Sequence, residues 1–446
     1  MKKIIFALVI LNLFSVNIYP QEIINLKKAV NTAIENNPGL QKVKNNLEIQ
    51  KLVIKNTKGD LYPTLGITAG WNRNNSFSKG GTIFQNGFPI TIGDQSLWQS
   101  NFNLGINSQV TLFNGFANYK SIDIENENLA SLSINYEKLK YDLLINIYSK
   151  YFDVLKKEYI VKTNRENLKN SIDQLEKIKT YVEVGKKTVS DVYKQDAQVA
   201  QDELNLETSI NDFEKSKIEL LSAMNDNLDK EIEVSKEDAE PDFTLEQLQL
   251  ILTKYSDSEK LFESAISKRY DYQLGKKDIE ISEMKYDLSK RQLYSPVINA
   301  FGNYNLTGTD IDITKTRSLA FGLTISYPIF QGFNLEVPKQ IAEVNIKIKS
   351  EELKELELNI KSSLKKSIID LQTSYKQIEI LERNLKAAEQ DKYLSEENFR
   401  IGYGTLLDVQ VANTRVNNLL IQRINSYYNF FIAVKQIEYL SGILNY

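Results

Sequence analysis

The residues of this sequence that could do chemistry lie in two short segments, 184–192 and 401–409, which resemble each other. Each segment holds a glycine, a threonine three positions later and an aspartate three positions after that: Gly185, Thr188 and Asp191 in the first, and Gly402, Thr405 and Asp408 in the second. Glycine commonly ends a helix, and Thr-x-x-Asp is typical of the capping box that begins one. The spacing therefore predicts two helix–turn–helix tips, each with a carboxylate over a helix N-terminus.

The composition excludes most other chemistry. The 446 residues include no Cys and no His, which removes thiolate nucleophiles, disulfides, Ser-His devices and thiolate or imidazole metal sites. A hydrolase with paired carboxylates remains, but the sequence has only 2 Trp to line a cleft, and its acidic residues follow helical surfaces. The formal net charge of −3 provides no basic field for nucleic acid. We expect no catalytic site, no cofactor, no metal and no nucleic-acid partner.

The N-terminus predicts export. Two lysines after Met1 precede the apolar run 4–11, which is too short to span a bilayer as a helix and is typical of a signal peptide, here assigned to residues 1–20. The residues before Gln21 lack a clean cleavage pattern, so the cleavage position stays open. No later stretch is apolar enough for a transmembrane helix, and the mean hydropathy of −0.36 excludes a polytopic helical membrane protein.

The chain consists of two copies of one unit. Phe113 and Phe330 lie in similar segments 217 positions apart, and Asp191 and Asp408 are separated by the same 217 positions. Two motifs with one offset indicate an internal repeat. The expected division is a first repeat over 21–225, an acidic inter-repeat segment over 226–258 and a second repeat over 259–446.

Each repeat predicts a helix, two strands, a very long helix, a break and a last helix. Apolar residues from Ala29 to Ile54 follow helical spacing. The stretches 117–181 and 339–400 contain neither Pro nor Gly, and Leu, Ile and Tyr recur in them at three- and four-residue steps. A helix of about 65 residues approaches 100 Å. Because typical helices run about 8 to 20 residues, such rods must pack together as a coiled-coil-like bundle.

The predicted strands alternate between apolar residues and small or polar ones. The alternation covers 102–112 and 319–329, with shorter partners at 65–71 and 297–306. Period two suits a half-buried soluble sandwich or a membrane barrel. Strand length, aromatic residues near the strand ends and the signal peptide favour the membrane. The link 72–100 is rich in Asn, Gly and Ser and is predicted as a surface loop.

A barrel in lipid predicts which side chains face hydrocarbon. The apolar set expected to contact outer-membrane lipid is Leu319, Phe321, Leu323 and Ile325. The alternate positions Ala320, Gly322 and Thr324 are expected to face the lumen. A membrane barrel needs at least about eight strands and tolerates no exposed edge, so four strands per chain require several chains. The residues alone leave two, three or four chains open.

This order of elements resembles the TolC-type outer membrane efflux protein family over nearly all of the mature chain. The residues that carry the resemblance are Asn36-Asn37-Pro38-Gly39-Leu40 and Arg269-Tyr270-Asp271, the strand-to-helix turns Phe113-Asn114-Gly115-Phe116 and Phe330-Gln331-Gly332-Phe333, and the two tips. The resemblance implies a mainly α-helical homotrimer with a twelve-stranded outer-membrane barrel and a helical periplasmic tunnel. It implies a passive exit duct of a tripartite efflux or type I secretion system, docked through a periplasmic adaptor onto an inner-membrane pump. The exported cargo is not readable from the residues.

The resemblance also implies roles for the tips. Asp408, with Asp191 as its first-repeat counterpart, matches aspartates that form an acidic ring at the periplasmic gate, whereas the family's second acidic position falls on Val411. An aromatic-to-basic link of the closed mouth falls on Phe399 and Gly404, which cannot form it, so what closes this mouth stays open. The tip residues that match the adaptor-docking surface are Gly185, Thr188, Gly402, Gly404 and Thr405. A purely structural capping role for both aspartates also stays open.

One further alternative is a periplasmic coiled-coil adaptor or scaffold without a barrel. Adaptors share long helical hairpins, but they also carry lipoyl-type and β-barrel domains rich in Gly and Val, which this sequence does not show. Extraction distinguishes the two, because a barrel protein needs detergent and a scaffold does not.

Overall fold

A computed structural model describes residues 22–236, 243–309, 312 and 315–445. The predicted signal peptide lies outside these residues. The elements in the first half are β1 Glu22–Ile24, α1 Leu26–Asn36, α2 Pro38–Gly59, β2 Thr64–Ser78, β3 Gly81–Gln85, β4 Phe88–Ile92, β5 Gln95–Phe113, α3 Ala117–Glu183, α4 Val189–Met224 and β6 Ile232–Val234. Those in the second half are α5 Leu245–Lys254, α6 Ser258–Lys268, α7 Tyr270–Tyr294, β7 Val297–Thr309, β8 Thr316–Ser326, α8 Glu336–Ile401 and α9 Leu406–Leu440.

The two long helices are present at the predicted places. Helix α3 has 67 residues and α8 has 66, and both end within three residues of the predicted C-terminal limits. Each follows two strands of the main sheet and precedes a helix of 36 or 35 residues, α4 or α9. Each half of the chain therefore has strands of the main sheet, a long helix, a break and a last helix in the predicted order.

The chain forms two compact units. Among the described residues, the helical unit contains those from Glu22 to Val43 together with those of Ile134–Gln273 and Lys354–Tyr446. Its core packs aromatic and aliphatic residues of α3, α4 and α9, with Tyr151 and Tyr428 fully buried. Strands β1 and β6 pair in parallel here, and the Tyr151 hydroxyl donates to the Ser235 carbonyl at 2.7 Å. Tyr151 thus satisfies a backbone carbonyl beside this short sheet.

The sheet unit contains Lys44–Ser133 and Leu274–Leu353. Its four antiparallel strands run in the order β2-β5-β7-β8, so the strand pairs of the two repeats lie side by side. The register carries one apolar row across all four strands: Ile67, Ile106, Tyr304 and Leu319. Successive residues alternate between the two faces, and the row confirms the alternation read from the sequence.

Two strand predictions need correction. The link 72–100 is not a loop, because β2 and β5 continue through it to Ser78 and from Gln95, and β3 and β4 form a hairpin between them. Asn86 and Gly87 both have positive φ, 53° and 86°, which is the geometry that an Asn-Gly hairpin turn requires. Strand β8 ends at Ser326 rather than near residue 329. Pro328 lacks the N–H that a further ladder bond would need.

The first helix is also divided. The prediction of one helix from Ala29 to Ile54 is wrong at Asn37, whose extended backbone separates α1 from α2. The following Pro38 disfavours a helical conformation at Asn37. The Asn37 side chain then accepts a hydrogen bond from the Leu40 N–H at 3.0 Å and caps α2.

Candidate functional site

Both predicted tips are helix–turn–helix turns of one construction. Gly185 and Gly402 have φ values of +73° and +91°, which a side chain would make unfavourable. The next N–H groups bond back to the ends of the long helices, Lys186 to the Tyr181 carbonyl at 2.8 Å and Tyr403 to the Asn398 carbonyl at 2.9 Å. Such bonds satisfy the last helical carbonyls, so the glycines end α3 and α8 as their positions predict.

The capping boxes that begin the next helices are present. The Asp408 carboxylate accepts from the Thr405 N–H at 2.9 Å and from the Thr405 hydroxyl at 2.6 Å. The Asp408 N–H donates to that hydroxyl at 3.2 Å. Asp191 accepts from the Thr188 N–H at 3.1 Å and its hydroxyl at 2.9 Å. The hydrogen bonds from the Thr405 hydroxyl and N–H lower the pKa of Asp408, so this exposed carboxylate is ionised at neutral pH.

A small buried cluster joins the two tips of one chain. Its buried members are Ile178, Phe399, Leu406 and Val409, with Val182 and Val192 packed against them. The ring of Phe399 is only 3% exposed, and the Lys187 Nζ lies 3.6 Å from its centroid. An ammonium over an aromatic ring is an attractive cation–π contact. Phe399 therefore does meet a basic residue, but one from the other tip rather than from position 404.

A polar bridge adds to this contact. The Gln410 amide of α9 donates to the Lys194 carbonyl and to the Gln195 side-chain oxygen of α4, both at 3.2 Å. Sequence reasoning missed Lys187 and Gln410. Neither residue belongs to a spaced motif. Both make contacts between the two tips only because the turn between α3 and α4 packs against the turn between α8 and α9.

The predicted docking residues lie on an exposed part of the tips. Gly404 is close-packed, since a Cβ there would come within 3.1 Å of the Asn398 side chain. Large apolar side chains surround the tip residues in solvent: Val184, Val189, Tyr193, Ile401, Tyr403 and Leu407. Tyr403 is 89% exposed. Single exposed apolar residues are ordinary, but a group at the end of a hairpin pair is typical of a protein–protein contact.

A largely buried ion pair lies at the start of α7, and its arginine also contacts the end of α9 in the helical unit. Arg269 donates to both oxygens of Asp271, Nε to Oδ1 at 2.9 Å and Nη2 to Oδ2 at 2.5 Å, and its Nη1 donates to the Leu440 carbonyl at 3.0 Å. Burial alone would raise the pKa of Asp271, but the hydrogen bonds and charge of Arg269 outweigh it and lower that pKa. Burial also raises the pKa of the neighbouring Tyr141 to about 12. This cluster stays in one charge state through the neutral range.

The predicted lipid-facing residues share one face of β8. Leu319, Phe321, Leu323 and Ile325 are all well exposed, with Phe321 at 82%. Opposite them on β7 lie Tyr304, Gly302, Ala300 and Ile298. Gly322 and Thr324 lie on the other face, as the alternation predicts. In this chain a continuous apolar sheet face is thus left uncovered.

The described residues offer neither a cluster of metal ligands nor a membrane-spanning helix. No group of three or more His, Cys, Asp or Glu side chains within them is arranged to hold a metal ion. Among the same residues, no helix combines the length and apolar character that a membrane crossing requires.

Comparison with known proteins decides the family. The model of the outer membrane efflux protein family matches residues 29–226 and 263–442. The chain belongs to this family. It is therefore an outer-membrane exit duct for efflux and not an enzyme, as predicted. The gap between the two matched segments, 227–262, overlaps the predicted inter-repeat segment 226–258.

Individual relatives are distant and cover most of the chain. The outer membrane protein TolC of Escherichia coli is 21% identical over 434 residues, 94% of this chain and 83% of that protein. TolC of Vibrio cholerae is 21% identical over 433 residues, 94% of this chain and 91% of that protein.

Solved structures agree in fold. The outer membrane protein VceC of Vibrio cholerae superposes with a TM-score of 0.70 at 16% identity, over 94% of this chain and 96% of VceC. The CmeC outer membrane channel of Campylobacter jejuni gives 0.72 at 14% identity, over 94% and 85% of the two chains. The predicted architecture of long helices with a few β-strands per chain is thus confirmed. The alternative of a scaffold without a membrane part is not supported.

Proposed function

We propose that three copies of this chain close one twelve-stranded barrel and form a passive exit duct. The observation that carries the proposal is the open four-stranded sheet with an uncovered apolar face. Strands β2 and β8 are its edges, and unpaired edges are not tolerated in hydrocarbon. Four strands cannot form a membrane barrel alone, while β8 of one copy can pair with β2 of the next. The resemblance of the turns and tips to this family favours three copies.

The face with Leu319, Phe321, Leu323 and Ile325 then contacts outer-membrane lipid, and the opposite face lines the pore. The helical unit forms the periplasmic tunnel of the duct. Residues 1–20 act as the signal peptide that exports the chain. The first repeat over 21–225, the inter-repeat segment over 226–258 and the second repeat over 259–446 give each protomer its two similar halves.

The tips bind a periplasmic adaptor, which connects the duct to an inner-membrane pump. The support is the group of exposed apolar residues around Gly185, Thr188, Gly402, Gly404 and Thr405. A helical hairpin of an adaptor can cover these residues, and exposed aromatic residues such as Tyr403 are typical anchors of such contacts.

The tips also form the gate of the duct. Asp408 is exposed and ionised, and three copies around an axis make an acidic ring that attracts cations. Asp191, the first-repeat counterpart, is half-buried beside its cap. The contact between Lys187 and Phe399 ties the two tips of each chain and holds the mouth closed.

The experiment compares Asp408→Asn with Asp191→Asn in planar lipid bilayers. Asn keeps an oxygen that accepts from the Thr405 N–H, so the cap is retained while the charge is removed. We expect Asp408→Asn channels to lose their cation selectivity and to be blocked less strongly by trivalent cations. The thermal stability of the trimer should stay unchanged. Asp191→Asn should change neither property. Unaltered selectivity in Asp408→Asn channels reduces this residue to a helix cap, and failure of the wild type to form channels refutes the duct.

A further inference from the structure

A broad concavity lies on the polar face of the sheet. Its volume is about 450 Å³, and its principal lining side chains are Thr64, Asn107, Gln109, Asn299, Phe301 and Asn303. All of these belong to the sheet unit. The polar face of the described strands carries no charged residue: the two arginines on them, Arg73 and Arg317, lie on the apolar face. A solute at this wall meets amides and hydroxyls but no charge.

One aromatic ring lies within this amide-rich surface. Phe301 of β7 is half-buried and stands opposite Gly322 of β8. A Cβ on Gly322 would come within 3.0 Å of the Phe301 ring, so the far end of the ring packs closely against the glycine. Gly322 does not have a positive φ, so its backbone conformation does not require a glycine. A glycine here instead allows the Phe301 ring to approach the backbone of β8 closely. Phe301 thus packs against β8 and also lines the concavity.

Amide side chains surround the ring. Asn299 and Asn303 are two residues before and after Phe301 on the same face of β7, and Gln109 of β5 is its cross-strand partner. Asn107 is the partner of Asn303. Each amide offers both donors and an acceptor. Some of this capacity is used internally, since the Asn299 oxygen accepts from the Thr111 hydroxyl at 2.9 Å.

We propose that Phe301 and its amide neighbours form a binding site for neutral carbohydrate passing through the duct. A pyranose ring has an apolar C–H face, which packs on an aromatic ring, and a rim of hydroxyls, which pair with amides. An aromatic ring already packed against Gly322 lowers the entropic cost of ordering the site when a ligand binds. An uncharged wall has no ion pair to offer a phosphate or an ammonium, so a neutral polyol fits it better than a charged solute. The orientation of this face toward the lumen rests on the proposed duct.

Binding is measured as block of single-channel current by maltotriose added to the bilayer chamber. We expect reversible, concentration-dependent interruptions, whose affinity is unchanged between about 0.1 and 1 M KCl because no charge takes part. Phe301→Leu keeps an apolar side chain but removes the flat ring, and it should weaken the block about tenfold. Gly322→Ala, which displaces the ring, should also weaken it.

The matched control is Phe321→Leu, the same change one position from Gly322 on the opposite face. It should leave the block unchanged. Channels that conduct but show no interruptions with maltotriose overturn this site and leave the duct intact. Equal block in wild type and Phe301→Leu, or block that fades with salt, also overturns it. Absence of any channel refutes the duct itself.

Discussion

The contact between Lys187 and Phe399 allows an estimate of the free energy that holds the two tips of one chain together. The Lys187 Nζ lies 3.6 Å from the centroid of a ring that is only 3% exposed. A cation–π contact contributes about 0.5–1 kcal/mol at an exposed site and about 2 kcal/mol when desolvated. Lys187 is half-buried, which gives about 1 kcal/mol for each chain. If three chains open together, Lys187→Gln destabilises the closed mouth by about 3 kcal/mol.

A change of that size raises the open-to-closed ratio roughly a hundredfold. The assay is the open probability of single channels in planar bilayers at fixed voltage. Lys187→Arg retains a cation over the ring and should restore wild-type gating. The control is Lys186→Gln, which removes the same charge from the neighbouring residue. The reasoning is refuted if Lys187→Gln and Lys186→Gln have the same small effect, because the loss of charge then explains the result without the ring.

Three further predictions concern the membrane face and the buried ion pair. Phe321→Arg should destabilise the barrel by about 2–4 kcal/mol, whereas Gly322→Arg should act mainly on conductance; equal tolerance in thermal dissociation assays rejects the register. Asp271→Asn removes the carboxylate that pairs with Arg269 and should lower the free energy of unfolding by about 3 kcal/mol. The control Lys347→Met breaks an exposed pair and should lower it by less than about 1 kcal/mol. Both effects are measured as changes in melting temperature in detergent. Folding lowers the pKa of Asp271, so the stability that it adds is complete above about pH 5. This stability decreases as the pH falls below the unfolded-state pKa of about 3.9 toward the lowered folded-state pKa. The melting temperatures of wild type and Asp271→Asn should therefore converge over that interval, and a constant difference contradicts the assignment.

The long elements could be predicted because their signals are local. Helix α3 contains no Pro or Gly from Ala117 to Glu183, so nothing in the backbone interrupts it. The tips were equally readable, since the glycine and the Thr-x-x-Asp box each act within a few residues. The repeat offset then placed the second copy of each feature. Periodicity also predicted that Leu319, Phe321, Leu323 and Ile325 share one face of a strand, and they do so on β8. That this face contacts lipid stays a prediction.

The wrong predictions concern segments in which one or two residues indicate a different structure from the average composition around them. The segment 72–100 is polar on average, but its Asn86-Gly87 pair between apolar residues is the hairpin signal that deserved more weight. Apolar spacing predicts one helix through Asn37-Pro38, but a residue before proline is disfavoured in the helical conformation, and Asn37 is extended. Both cases involve one or two residues whose backbone restrictions outweigh the average of their surroundings.

The contacts that join distant segments were beyond sequence reasoning. Lys187 and Phe399 are 212 positions apart, and only the packing of one tip on the other brings them together. The sequence of Arg269 and Asp271 resembles the family, but it does not predict that the two form an ion pair. Nor does it predict that Arg269 donates to the carbonyl of Leu440. Such contacts depend on which helices are neighbours, and helical periodicity identifies the buried face of a helix without identifying its partner.

The central claim is that three chains share one barrel, because the four-stranded sheet of one chain cannot close by itself. Native mass spectrometry of the detergent-extracted protein tests this claim most directly. We expect a single species with the mass of three mature chains that retains β-sheet signal in circular dichroism. A monodisperse monomer with intact β-sheet signal would contradict the account, because a closed barrel cannot be made from β2, β5, β7 and β8 of one chain alone.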